Sequence, residues 1–227
     1  MPAPMTRDAA LERCRRYLAR RIRRWRAAQL FLPGETREDL VAVLAWHRLV
    51  REVAAGPAGF ERRRALEELS SELANARGER PRSPIGIALS FAIRRHELPA
   101  EEIERPLAEW KREEHVSTFE TREDLLAHAR ALAVPEGRLL LRTLDLSSPR
   151  LDALADALAV AMQLTAWLIA IRQDLAHGRL RVPIRELSHQ GVSIGSLSSG
   201  DARTALGRVI ATEVGRASCR ERVLLGV

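Results

Sequence analysis

Apolar residues recur at three- and four-residue spacings along almost the whole chain, and no run alternates with period two. A helix buries one face every 3.6 residues, so this pattern predicts helices rather than strands. The first helix runs from about Arg7 to Gln29 and ends at Leu32-Pro33-Gly34. Thr36 followed by Asp39 predicts a capping-box start for the second. That helix carries Leu40, Val43, Leu44 and Val50 near one face and stops by Gly56-Pro57. A third spans about Phe60 to Ala76 and breaks at Gly78. Pro84, Pro99 and Pro149 sit where prolines open helices. Thr121 with Asp124 repeats the capping pattern ahead of Leu125, Leu126, Ala129, Leu132 and Ala133. The long helix after Pro149 breaks at Gly178-Arg179, and a further element restarts at Pro183 and stops at Gly191. No Asn-Gly hairpin and no internal repeat interrupts this series. The expectation is one all-α domain.

Composition narrows the class. The 227 residues are 46% hydrophobic and 30% charged, a balance that builds a sizeable core and excludes disorder. No apolar run of membrane-spanning length is read, and the first helix is arginine-studded where a signal peptide needs an apolar core. Cys14 and Cys219 form no disulfide framework or metal motif, so a reducing cytoplasm is the default compartment. The net charge is +7, and Lys111 is the only lysine. Arg13, Arg15, Arg16, Arg20, Arg21, Arg23, Arg24 and Arg26 crowd the first helix. Three readings of that cluster stay open: a solvated helix face, peripheral attachment to anionic lipid at the inner membrane face, and nucleic-acid binding. The last lacks any accompanying recognition motif.

The most informative stretch is Ala161 to Gly191, AMQLTAWLIAIRQDLAHGRLRVPIRELSHQG. Its apolar helix carries one amide, Gln163, and one carboxylate, Asp174. The layout resembles the second signature of the squalene/phytoene synthase family, A-x-Q-L-T-N-x-x-x-D-x-x-x-D followed by G-R-x-Y-x-P. Gln163, Leu164, Thr165, Asp174, Gly178, Arg179 and Pro183 match. Ala166 stands where the family has Asn, and Ala170 where it has the first Asp. Upstream, Leu44 to Gly56, LAWHRLVREVAAG, resembles the family's Y-A-F-x-R-x-x-D-D-x-x-D helix. Arg48 matches there, Leu44 replaces Tyr, and the three acidic positions fall on Arg51, Glu52 and Ala55. Between them, Glu109 to Leu141 resembles the middle segment, with Ala133 and Gly137 at its small-residue positions, His128 in place of a Tyr and Glu136 in place of an apolar residue. Pro84 to Pro99, PIGIALSFAIRRHELP, resembles the bacterial hopanoid-associated subgroup.

The resemblance implies an isoprenoid-synthase-type helical bundle with a central cavity. It implies a prenyltransferase reaction: head-to-head condensation of two farnesyl or geranylgeranyl diphosphates with pyrophosphate release. Carboxylates at i and i+4 share a helix face. Two such clamps facing each other would hold magnesium against the leaving diphosphate, where charge stabilisation is the largest catalytic term. Carried over residue by residue, Asp174 is the metal ligand, with Glu52 second. Arg48, Gln163, Arg179, Arg51 and His128 are the diphosphate-binding set. Three of the four clamp aspartates are replaced, which predicts weak or absent magnesium binding and no detectable turnover. Trp46 and Trp167 are read as core packing before tunnel lining, and His47 and His115 as structural. Arg48, Glu52, Gln163 and Asp174 are expected around one cavity. The alternatives are a noncatalytic member acting as partner subunit to an intact paralogue or as a prenyl-lipid binder, and an arginine-rich nucleic-acid-binding protein. Gly215 to Val223, GRASCRERV, reads like translated adapter sequence. The family-like domain is therefore expected over residues 1–212, incomplete at its C-terminus, with 213–227 a non-native tail making few contacts.

Overall fold

The computed structural model describes residues 5–22, 34–78, 80–113, 118–192 and 207. The expectations for Arg23, Arg24, Arg26, His115 and the 213–227 tail lie outside the described residues. Among the described residues, eight helices and two short strands follow in order: α1 (Arg7–Ala19), α2 (Gly34–Ala55), α3 (Phe60–Arg77), α4 (Pro84–Arg95), α5 (Ala100–Arg112), β1 (Thr118–Phe119), α6 (Arg122–Thr143), α7 (Pro149–Ala176), β2 (Leu180–Pro183) and α8 (Ile184–His189). The residues gather into two compact units. One comprises Met1–Glu114 with Ala131–Ala159, the other His115–Arg130 with Val160–Val227.

In the first unit α1 packs on α2 and α4, and α3 packs on α2, α4 and α5. The side chains that drive this are spaced as the sequence pattern requires. Ala10, Leu11, Cys14 and Leu18 form the buried stripe of α1, and Leu66, Leu69 and Leu73 that of α3. Thr6 caps α1 by accepting the Ala9 N–H. Ser83 caps α4 at Gly86, and its own hydroxyl donates to Glu72 at 2.8 Å. A side chain at Gly86 would collide with that anchored carboxylate, since a Cβ there lies 2.0 Å from Glu72 Oε1. Asp39 departs from its expected capping role. α2 starts at Gly34, so Asp39 lies a full turn inside, where it is buried and receives Arg7, Arg95 and His96 at 3.3, 3.1 and 3.1 Å. A carboxylate bridging three elements outcompetes a local cap. Thr121 and Asp124 do cap α6 reciprocally. α6 and α7 approach at Gly137, opposite Ala155 and Ala159.

The second unit holds the strands that the sequence pattern did not announce. β1 and β2 pair in parallel, Thr118 with Leu180 and Phe119 with Pro183. All four residues of β2 are buried, so no polar alternation marks it. Leu180, Val182, Leu187 and Val192 form a small core against Ile171 and Leu175 of α7. Gly178 makes the turn into β2 at φ +71°, a conformation that favours glycine.

α7 is built inside out. Its buried residues are Gln163, Trp167 and Asp174, whereas Leu151, Leu154, Leu158, Met162 and Ile169 are exposed, Ile169 to 81%. By length and composition alone it is apolar enough to cross a membrane, which corrects the reading from uninterrupted runs. Asp156 breaks the run, but the helix as a whole stays apolar.

Candidate functional site

The second-unit cluster grows from the break after α7. Asp174 lies in the last turns of that helix, and its backbone carbonyl accepts the Arg179 N–H at 2.8 Å. Side chains two apart leave a strand on the same face, so the extended backbone from Gly178 into β2 aims Arg179 and Arg181 together at Asp174. Arg179 Nη2 lies 3.4 Å from Oδ1, and Arg181 Nη1 lies 2.5 Å from Oδ2. Each carboxylate oxygen is thereby held by a different guanidinium. All three side chains are at most 6% exposed. Arg179 also reaches His177 Nδ1 at 3.0 Å. Arg181 lies over the Trp167 ring, 5.2 Å from its centroid, and Trp167 stacks on His128 at 5.4 Å and 11°. The Phe119 ring lies 5.0 Å from that of His128, tilted by 33°. Gln163 is buried in α7, and its Oε1 has no hydrogen-bond partner.

The first-unit cluster lies on α2. Arg51 Nη2 donates to Glu136 Oε2 of α6 at 2.8 Å. Burial works to raise the Glu136 carboxyl, but Arg51 together with His47 and Arg48 outweighs it and holds the group below its ordinary 4.5. His47, buried beside this pair, is pushed below its ordinary 6.5 by loss of solvation and is neutral at physiological pH. Its Nε2 has no hydrogen-bond partner. Glu52, one position on from Arg51, accepts the Tyr17 hydroxyl at 2.8 Å and the Arg21 guanidinium. Burial opposes ionisation of Glu52, and the Arg21 and Tyr17 hydrogen bonds reverse that and lower its pKa. Arg48 Nε stands 3.6 Å from Glu52, with the Arg48 side chain 42% exposed.

A model of squalene/phytoene synthases matches residues 7–220. The chain belongs to the squalene/phytoene synthase family. Squalene synthase HpnC from Alicyclobacillus acidocaldarius is 30% identical and superposes with a TM-score of 0.81 over 96% of this chain and 82% of that one. Phytoene synthase of Mycobacterium tuberculosis is 28% identical over 180 residues, 77% of this chain and 59% of the relative. The bifunctional protein CrtB/UppS of Streptomyces coelicolor is 28% identical over 184 residues, 80% of this chain. The chain spans 32% of that bifunctional protein. The all-α isoprenoid-synthase architecture expected from the sequence is therefore the one present.

Against the family's pattern, Arg48, Arg51 and Glu52 belong to the first unit, and His128, Gln163, Asp174 and Arg179 to the second. Their surroundings do not fit a magnesium ion. Magnesium takes several oxygen ligands in near-octahedral geometry. Asp174 has both oxygens on guanidinium groups, and Ala170, one turn earlier, supplies none. Glu52 is held by Arg21 and Tyr17. Among the described residues no three His, Cys, Asp or Glu side chains converge as metal ligands would. Arg179, expected on diphosphate, is buried against Asp174, and His128, expected there too, is buried beside the Phe119 and Trp167 rings. Trp46 and Trp167 are buried side chains.

Two contacts escaped the sequence reading. Arg51 and Glu136 each depart from the family's pattern, and their opposite charges are the signal that they pair. Arg181 stands where the pattern has Tyr, and its two-residue spacing from Arg179 was the signal that both share a target. On α1, Arg15 pairs with Glu38 at 3.0 Å and Arg16 with Glu12 at 3.3 Å, and just beyond its end Arg21 pairs with Glu52. These three arginines of the cluster have carboxylate partners within the chain.

Proposed function

We propose that this chain is a family member that binds a prenyl diphosphate without magnesium-dependent condensation. The observation carrying the proposal is that Asp174, the one clamp aspartate left, is buried with both oxygens engaged by arginines. Ionising a prenyl diphosphate requires neutralising the charge that develops on the leaving group. A carboxylate already neutralised by two guanidinium groups recruits little further cation. Diphosphate recognition survives such a change, because guanidinium pairs well with phosphate oxygens. The half-exposed Arg48 is this chain's guanidinium for it.

Calorimetric titration with farnesyl diphosphate, in magnesium or in chelator, tests the reading. Binding is expected in both, with affinities within about tenfold, roughly 1.4 kcal/mol, and with no pyrophosphate released. A larger gain with magnesium, magnesium-dependent pyrophosphate release, or no binding at all would overturn it.

A further inference from the structure

We propose that Arg181 takes the seat of a divalent cation on Asp174, so that a guanidinium built into the chain keeps this carboxylate closed to metal. The inference deepens the reading above, which needs a diphosphate to bind without magnesium. It rests on the geometry of the second unit alone.

Arg181 is fixed from three directions. Its Nη1 contacts Asp174 Oδ2 at 2.5 Å, short even for a charge-assisted hydrogen bond. Its guanidinium lies over the face of Trp167, which is itself held by the His128 stack. Its backbone belongs to β2, every residue of which is buried. A long side chain pinned in this way does not swing aside for a weakly held ion. The second oxygen of Asp174 faces Arg179 at 3.4 Å. No helical neighbour restores metal ligation, because the residue one turn before Asp174 is Ala170. The carboxylate and both guanidinium groups are buried. The first unit departs from the pattern in a different way. Arg51 stands at a position where the family's pattern has an acid, and it carries its own counter-charge in Glu136 at 2.8 Å.

The test uses manganese as the probe, followed by the loss of its free electron-paramagnetic-resonance signal, with no prenyl ligand present. Wild-type protein is expected to show no saturable binding into the millimolar range. Ala170→Asp, which returns a carboxylate one turn from Asp174, is expected to change this by less than about threefold. Ala170→Asp with Arg181→Gln is expected to bind at least tenfold more tightly than either single variant. Arg181→Tyr in place of Gln gives the same result and keeps an aromatic-compatible group on Trp167, should Gln disturb folding by circular dichroism. Saturable manganese binding by wild type that Asp174→Asn abolishes would overturn the proposal. So would equal affinities for Ala170→Asp with and without Arg181, or no gain in the double variant. Because no diphosphate is used, a failure here leaves the ligand-binding result standing, and the reverse also holds.

Discussion

The two units solve the same electrostatic problem in different media. In the first, Arg51 and Glu136 come from two helices and stay partly wet, with side chains 33% and 22% exposed. In the second, Asp174 sits between two arginines at 5–6% exposure. Solvent screens the first pair and tolerates its breakage. Burial leaves the second little screening and makes a missing partner costly. The first pair is also one-to-one, whereas the second sets two cations against one anion. A substitution that looks equivalent on paper, an arginine near a clamp position, is therefore adjustable in one unit and structural in the other.

The largest test of this contrast is Asp174→Ala. It strands two buried guanidinium groups, and a loss of about 3–5 kcal/mol is expected in urea denaturation. A loss under about 1 kcal/mol would erase the difference between the units. Arg51→Ala is expected to cost less, about 1–2 kcal/mol, since water can solvate what remains of the pair. A double-mutant cycle with Glu136→Gln reads the coupling directly, and a coupling as large as that of Asp174 with Arg181 would break the comparison.

The first unit should also be acid-sensitive in two steps. His47 has a lowered pKa in the folded chain, so the unfolded chain takes up a proton first and stability falls as pH drops below 6.5. Glu136 and Glu52 have lowered pKa values as well. Their contribution is present above 4.5 and is lost as pH falls through their folded values. His47→Gln should remove the upper step and leave the lower, as measured by urea midpoints between pH 7 and 3. The smallest effect expected is that of Tyr17→Phe, about 1 kcal/mol, from the single hydrogen bond to Glu52.

Much of the fold was legible because helices announce themselves locally. Pro84 and Pro149 open helices where expected, Thr121 and Asp124 cap one another, and Gly178 turns the chain as its residue type demands. Asp39 misled because its partners, Arg7, Arg95 and His96, are remote in sequence and a capping motif is near. The strands were silent because burial on both faces removes alternation. The candidate site was legible as a set of departures, but their meaning was not. Ala170 and Ala55 are simple losses that any pattern shows. Arg51 and Arg181 are gains whose sense lies in Glu136 and Asp174, eighty-five and seven residues away, and only folding brings each to its partner.

The inverted polarity of α7 reaches into how the protein behaves on the bench. Between Arg150 and Arg172 its exposed side carries Leu154, Leu158, Met162 and Ile169. The hydroxyl of Thr165 there is turned back onto the Ala161 carbonyl. That ribbon extends about 22 Å at 1.5 Å per residue, and Asp156 within it is paired with Arg138. Sulfate strengthens the pairing of such surfaces. A phenyl column should therefore hold this chain through a falling ammonium sulfate gradient long after its net charge of +7 would have predicted release, and Ile169→Glu should bring it off early.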